Sequence, residues 1–374
     1  MRILVNLATL KRGGGQTVGL NFLTTLFTGG YDLNNFIFVA TKNSEIHKFL
    51  SSNSNIKYFT VPKIPIQRML FEFLFGFFLI KKLKIDVIYT IFGLGLYPRN
   101  VFQVIGSADS NLFFPEIDFW EGFNKFGRLQ KKLIDKYRIF GLKRASAVIF
   151  ENESMLERAK ILFKIKKAVF IKPSFIDVFN KSEIIIDSDT MAAKGLFFCG
   201  WQKNKNYLIV PRLAYELKKR KINYQFIITA NKDFSTNHLE FSHLLKKYDV
   251  ENMVAIIGEI RKEEISSLYG QVSHVFLLSK LESFSNNILE CWYFKKPLII
   301  SDEIWSNSIC KDAAFYVNRN NVGQICNVIE MLLLQPDVVS AKILSGIMEF
   351  GTYPLIHQKI KQELDFIKQS YESR

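Results

Sequence analysis

Short apolar runs rich in Val, Ile and Phe recur along this chain, each followed by a stretch with helical signal, and that alternation leaves few folds open. Parallel strands need a long crossover between them, so the pattern predicts parallel sheets built from βαβ units. Strands are expected at 3–7, 36–40, 56–60, 87–91, 101–105, 147–150 and 168–171. A second series is expected at 196–199, 225–229, 254–257, 274–278, 298–300 and 315–317. Pro173 and the polar stretch 177–189 mark a linker between the two series. With 374 residues the chain is long enough for two domains, each burying its own core. The last segment, 355–371, reads as a long helix with a mixed face, and neither a solenoid-length repeat nor a low-complexity tract is present. A ligand site is expected at the domain interface and at strand carboxyl ends, where pockets concentrate.

Charge is distributed unevenly. Residues 1–172 carry 26 Lys and Arg against 12 Asp and Glu, whereas the remainder carries 24 against 23. A one-sided positive field implies an extended anionic partner, either nucleic acid or an anionic membrane. No zinc-finger spacing, ribonucleoprotein signature or basic zipper is present, so no nucleic-acid partner is expected and the membrane is favoured. The run 69–80, MLFEFLFGFFLI, would span only ~18 Å as a helix against ~30 Å of hydrocarbon, so it cannot cross a bilayer. Flanked by Arg68, Lys81, Lys82 and Lys84, it suits either a core helix or a helix lying in the interface. From Lys125 to Arg144 eight cations interleave with Phe126, Leu129, Leu133, Ile134, Tyr137, Ile139 and Phe140, the pattern of an amphipathic basic helix. Two such elements in one half favour a docking face. Cys199, Cys291, Cys310 and Cys326 form no C-x-x-C pair and read as reduced, packed thiols. The amino terminus begins a strand at once and carries no signal-peptide pattern, so a cytoplasmic protein, peripheral at the inner face of the membrane, is expected.

The stretch SKLESFSNNILECWYFKKPLIISD, residues 279–302, carries the sharpest chemistry. Residues 275–278 read as a buried strand and 286–293 as a helix capped by Ser285, which puts Glu282 at a strand's carboxyl end and Glu290 in the first turns of the helix. Helix-start amides favour phosphate, and carboxylates on either side accept hydrogen bonds from hydroxyls. A phosphate flanked by two sugars, as in a nucleotide-sugar, suits this arrangement. Gly13-Gly14-Gly15 follows the first strand and either lets a ligand approach the backbone or makes a plain tight turn. Its spacing to Gly19 is not the dinucleotide fingerprint.

At these residues the chain resembles the retaining glycosyltransferases of family four, which have the two-domain GT-B fold and include many bacterial surface-polysaccharide and lipopolysaccharide enzymes. Their pattern S-x-x-E-G-F-G-x-x-x-x-E-A-M-x-x-G-x-P-V-I-x-S is matched by Ser279, Glu282, Phe284, Glu290, Pro297 and Ser301, with Ser283 and Ser285 in place of two glycines. Residues 144–149, RASAVI, resemble the family's R-A-D-A-V-I, 114–116 its F-P-E, and Leu268-Tyr269 the pair ahead of the donor-site strand. The resemblance covers nearly the whole chain.

It implies an α/β protein of two Rossmann-like domains facing an interdomain cleft: 1–172 for the acceptor, 173–350 for the donor, and 351–374 as a helix returning to the first domain. In the roles it implies, Glu282 holds the transferred sugar and stabilises charge at the anomeric carbon, while Glu290 binds the ribose diol. Phe284 and Ser285 belong to the donor-binding stretch, and Asn286 and Asn287 offer helix-start amides to the diphosphate. Lys205, from the Lys205-Asn206 pair, sits on the diphosphate. Trp201 stands where relatives place an arginine, and Lys203 is the residue that would supply that charge. Gly258 and Ile260 line the base pocket through their backbone. Gly14 and Gly15 line the cleft opposite the donor. Asp109, the sole ionisable side chain in 106–110, is an acceptor-side contact or a turn-forming residue.

Fixed cations and amides aimed at the leaving diphosphate lower the barrier. No metal and no cofactor are expected, since there is no D-x-D motif and the five histidines have no metal-ligand spacing. The expected activity is transfer of a sugar from a UDP- or GDP-linked donor to a saccharide or lipid-linked saccharide acceptor. A nucleotide-sugar epimerase of similar fold would need further acid and base residues facing the sugar, and a non-catalytic nucleotide-sugar-binding protein would bind donor without turnover.

Overall fold

The apolar runs of the first half form seven parallel strands: β1 (Ile3–Asn6), β2 (Phe36–Thr41), β3 (Lys57–Val61), β4 (Val87–Thr90), β5 (Phe102–Ser107), β6 (Ala147–Phe150) and β7 (Ala168–Phe170). The computed structural model describes residues 1–374 apart from 12, 54–55, 65–66, 68–69, 72–75, 96–99, 176–192 and 234. The expected linker 177–189 and much of the apolar run 69–80 lie outside the described residues. Two compact units result, 1–174 with 354–374, and 175–353.

In the first unit the strand order is β3-β2-β1-β4-β5-β6-β7, every pair parallel. The central strands β1, β2, β4 and β6 are buried at every residue, whereas the edge strands β3 and β7 are only partly covered. Helices on both faces of a parallel sheet explain why these strands read as unbroken apolar runs and not as alternating ones. The helices are α1 (Gly13–Thr28), α2 (Glu45–Ser51), α3 (Gly76–Leu83), α4 (Lys125–Arg144) and α5 (Glu153–Phe163). Side-chain caps start three of them: Ser44 accepts from the His47 amide, Asn124 from Gly127 and Asn152 from Ser154. Connections leaving β1 and β2 run one way across the sheet and those leaving β3 and β5 run the other, so right-handed crossovers put α1 and α2 on one face and α3 and α4 on the opposite face.

The second unit has β8 (Ala193–Phe197), β9 (Tyr224–Ile228), β10 (Val254–Ile256), β11 (His274–Leu277), β12 (Leu298–Ser301) and β13 (Phe315–Val317), in the parallel order β10-β9-β8-β11-β12-β13. Its helices are α6 (Val210–Lys219), α7 (Thr236–Tyr248), α8 (Ile265–Gln271), α9 (Asn286–Tyr293), α10 (Ile304–Cys310), α11 (Val322–Leu334) and α12 (Pro336–Phe350). Strand β8 begins three residues before its expected start, because Ala193 and Lys194 pair with Tyr224 and Gln225 although neither carries a strongly apolar side chain. Gly195 belongs there by packing: a Cβ would stand 1.9 Å from the Tyr224 hydroxyl. That hydroxyl meets Nε2 of His274 at 2.5 Å inside the core, and burial holds the imidazole neutral, its pKa down to about 3.

Among the described residues no single helix is long and apolar enough to cross a membrane. The bent pair α11 and α12 passes by length and composition, but Ile325, Cys326 and Ile329 of α11 are buried in the second unit's core.

The last helix, α13 (Ile356–Glu372), belongs to the first unit, where Ile360 and Ile367 pack with Val5, Phe22 and Tyr89. A buried polar cluster fixes it: the Lys359 ammonium pairs with Glu151 and, at 3.5 Å, with Glu363, and the Tyr89 hydroxyl donates to Glu363 at 2.9 Å. Burial opposes the charge on Lys359, but Glu151 and Glu363 outweigh it and hold its pKa above that of an ordinary lysine.

Candidate active site

In the second unit the chain runs from β8 outward to β9 and β10, then crosses back to β11, so the strand order reverses between β8 and β11. Ligands of open α/β sheets sit at such a reversal, outside the strand carboxyl ends. The two loops meeting there are stitched together by Asn204. Its Nδ2 donates to Leu281 O at 2.9 Å, its Oδ1 accepts from Leu281 N at 3.1 Å, and its backbone O accepts from Lys280 N at 2.8 Å. Next to this clamp the Lys205 ammonium and the Glu282 carboxylate form an ion pair, with side chains only 23% and 15% exposed. The 3-10 turn carrying Lys205 ends at Asn206 in the left-handed region, φ 57°, and the Asn206 carboxamide donates to Arg319 O at 2.7 Å.

The first turn of α9 faces the same edge. Ser285 occupies the N-cap position, yet its hydroxyl makes no capping bond; the turn is closed by the Ile288 amide on Ser285 O. The Asn287 carboxamide is committed to structure, donating to Phe198 O at the end of β8 at 3.0 Å, which leaves the backbone amides of Asn286 and Asn287 as the groups offered to an anion. Phe284 packs on Tyr353, ring centroids 5.9 Å apart. Glu290, one turn further along α9, accepts a hydrogen bond at Oε2 from the Tyr269 hydroxyl at 3.0 Å. Burial pushes the Glu290 carboxyl up to about 7, against the opposing pull of that bond.

The remaining second-unit residues lie on the loops after β8, β9 and β10. Trp201 Nε1 donates to Asn231 O at 2.6 Å, and the Asn231 side chain accepts from the Glu259 amide at 3.1 Å, so these loops are linked beside Gly258 and Ile260. Gly258 is in the left-handed region, φ 88°, which suits glycine. Trp201 stacks on His238. Lys203 is drawn to Glu240 at 3.6 Å and is half exposed, so its ammonium is engaged on α7 while that of Lys205 is engaged with Glu282.

In the first unit, Gly14 and Gly15 form the opening turn of α1 after β1, and a Cβ at Gly14 would meet nothing within 4 Å. Asp109 follows β5 at the start of a 3-10 turn without capping it; its Oδ1 lies 3.4 Å from Arg138 of α4. Burial raises the Asp109 pKa, and Arg138 opposes the rise.

Two participants escape a reading of motifs: Asn204, whose three bonds hold the site loops in register, and Tyr269, which was visible only as half of a Leu-Tyr pair. Among the described residues no group of three His, Cys, Asp or Glu side chains is arranged to hold a metal ion.

Residues 196–342, within the second unit, match the family model for glycosyl transferases group 1. No curated protein matches the chain by sequence. Among solved structures, sucrose-phosphate synthase from Thermosynechococcus elongatus superposes with a TM-score of 0.75 at 13% identity, covering 100% of both chains. Anabaena Alr3699/HepE in complex with UDP-glucose gives 0.72 at 13% identity, again over 100% of both. WaaG, a glycosyltransferase involved in lipopolysaccharide biosynthesis, gives 0.71 at 13% identity over 98% of this chain and 99% of its own. The fold is the two-domain Rossmann-like GT-B fold.

Proposed function

We propose that the protein is a retaining, metal-independent glycosyltransferase that moves a sugar from a UDP- or GDP-linked donor to a growing lipid-linked glycan at the cytoplasmic face of the membrane, in assembly of a surface polysaccharide or lipopolysaccharide. The observation that carries the reading is the Lys205–Glu282 ion pair at the strand-order reversal of a glycosyl transferases group 1 domain, beside the helix-start amides of α9. The structure of HepE with UDP-glucose and the role of WaaG in lipopolysaccharide biosynthesis support the donor class and the pathway class.

As the glycosidic bond to the diphosphate breaks, negative charge grows on the leaving oxygens. The Asn286 and Asn287 amides at the start of α9 are aimed to receive it, and the Lys205 ammonium stands at the same edge; donors directed at the developing charge lower the barrier. With donor bound, the ammonium turns from Glu282 towards the phosphate, and the carboxylate is released to hold sugar hydroxyls and to stabilise positive charge at the anomeric carbon. The leaving phosphate takes the acceptor's proton, so attack comes from the face of departure and configuration is retained. Glu290 accepts from the ribose diol, and the backbone at Gly258 and Ile260 borders the base. On the acceptor side, Gly14, Gly15 and Asp109 of the first unit contact the saccharide.

A thermal-shift screen against nucleotide-sugars tests the donor class, since a ligand that binds the native state raises apparent stability. One nucleotide-sugar family is expected to stabilise the protein, with Glu290→Ala weakening its binding and Glu282→Ala chiefly lowering turnover. No stabilisation by any nucleotide-sugar, or equal loss of binding and turnover in both variants, contradicts these roles.

A further inference from the structure

Helix α4 is twenty residues long and buries only Gly141 and Leu142. At 100° per residue, Phe126, Leu129, Leu133 and Phe140 fall within an arc of about 60°. They are 78, 58, 57 and 46% exposed. Lys125, Lys132, Lys136 and Lys143 occupy the adjoining arc of about 40°. The helix carries eight Lys and Arg against a single carboxylate, Asp135, and among the described residues Lys125, Lys132 and Lys136 have no ion-pair partner.

The opposite face is anchored. Asp135 accepts from Trp120 Nε1 at 2.8 Å, Arg138 reaches Asp135 and Asp109, and the backbone at Gly141 approaches Leu94 so closely that a Cβ would stand 2.8 Å from its carbonyl oxygen. A rigidly held helix therefore presents an apolar ridge bordered by cations.

We propose that this face of α4 lies along a bilayer leaflet bearing anionic headgroups, with Phe126, Leu129, Leu133 and Phe140 at the acyl boundary and the lysines among the phosphates. The charge selects the occupant. A second copy of the chain would bring two strongly cationic helices together, and a nucleic acid has no use for an aliphatic ridge at Leu129 and Leu133. Through Arg138 the docked helix also holds Asp109, so the acceptor-side loop is fixed relative to the lipid surface. The inference deepens the lipid-linked acceptor reading and rests on it for its purpose.

The test uses the full chain without donor or acceptor, sedimented with vesicles of phosphatidylcholine alone or with phosphatidylglycerol added. Wild type is expected to pellet with the anionic vesicles and to be partly released by salt. Lys125→Gln, Lys132→Gln and Lys136→Gln should each cost about fivefold in partition and together about a hundredfold. Leu129→Asp with Leu133→Asp should cost tenfold or more, and Leu129→Gln with Leu133→Gln repeats the test without added charge. All variants should keep the wild-type melting temperature and nucleotide response, since these side chains are exposed. Recovery of wild type in the supernatant at low salt overturns the proposal. So does unchanged partition of both leucine variants, which would leave only diffuse adsorption, or a wild-type dimer that the leucine variants dissolve. Vesicle binding without any nucleotide response would leave the docking face standing and remove the transferase reading.

Discussion

Replacing Tyr269 by Phe removes the O–H that donates to Glu290 Oε2 at 3.0 Å, while the buried ring keeps its stacking on Phe294. A hydrogen bond to a charged group contributes about 1.5–3 kcal/mol. At about 1.4 kcal/mol per pKa unit, its loss should raise the Glu290 pKa by roughly one to two units from its present value of about 7. The ionised carboxylate is the form that accepts from a ribose diol, so at pH 7 its population falls from about a half to between roughly a tenth and a hundredth. Donor affinity should weaken about five- to fiftyfold at pH 7 and recover by about pH 10. Stability moves in a defined direction too. The folded pKa lies above the ordinary 4.5, so the native state holds the extra proton between 4.5 and about 7, and stability falls as pH rises through that window. In the variant the decline continues to higher pH. Calorimetric titration of the preferred nucleotide-sugar across this range, for both proteins, is the assay. Superimposable pH midpoints, or a deficit of the same size at every pH, would refute the coupling of Tyr269 to Glu290.

Three further outcomes are expected. Lys359→Met leaves Glu151 and Glu363 facing each other in the first unit and should cost about 3–5 kcal/mol by denaturant titration; a second change, Glu363→Leu, should restore part of that. Gly106→Ala places a methyl 1.8 Å from the Ile91 carbonyl oxygen and should destabilise by about 3 kcal/mol or more, read as a fall in melting temperature. Lys205→Ala should lower turnover far more than Lys203→Ala, because Lys205 is held beside Glu282 at the strand-order reversal whereas Lys203 is half exposed and drawn to Glu240 on α7; equal losses would give Lys203 the role of the family's arginine.

Among the described residues the central strands are legible because parallel strands covered on both faces show up as short unbroken apolar runs, and α9 and α4 are legible by periodicity and charge. Strand β8 starts earlier than its hydropathy indicates because its first residues, Ala193 to Gly195, serve backbone pairing and room beside Tyr224, neither of which hydropathy records. Ser285 stands at the helix start that residue type announces, but the backbone closes the turn and the hydroxyl is not used for capping. Glu282 and Lys205 are conspicuous in their own loops, yet they meet only because β8 and β11, distant in sequence, are neighbours in the sheet. The Asn204 clamp and the Tyr269 hydroxyl depend on that same adjacency and on helix placement, which no local pattern encodes.

Because α13 completes the first unit with residues 354–374, that unit is interrupted in the chain by the whole of the second. A ribosome delivers residues 175–353 before the helix that covers Tyr89 and neutralises Glu151 exists. The second unit can therefore reach its native state while the first still waits, half-finished, for its closing segment. Truncation behind residue 353 would strand the early half with a bare apolar flank and an uncompensated acid, a hallmark of products that chaperones retain and proteases clear.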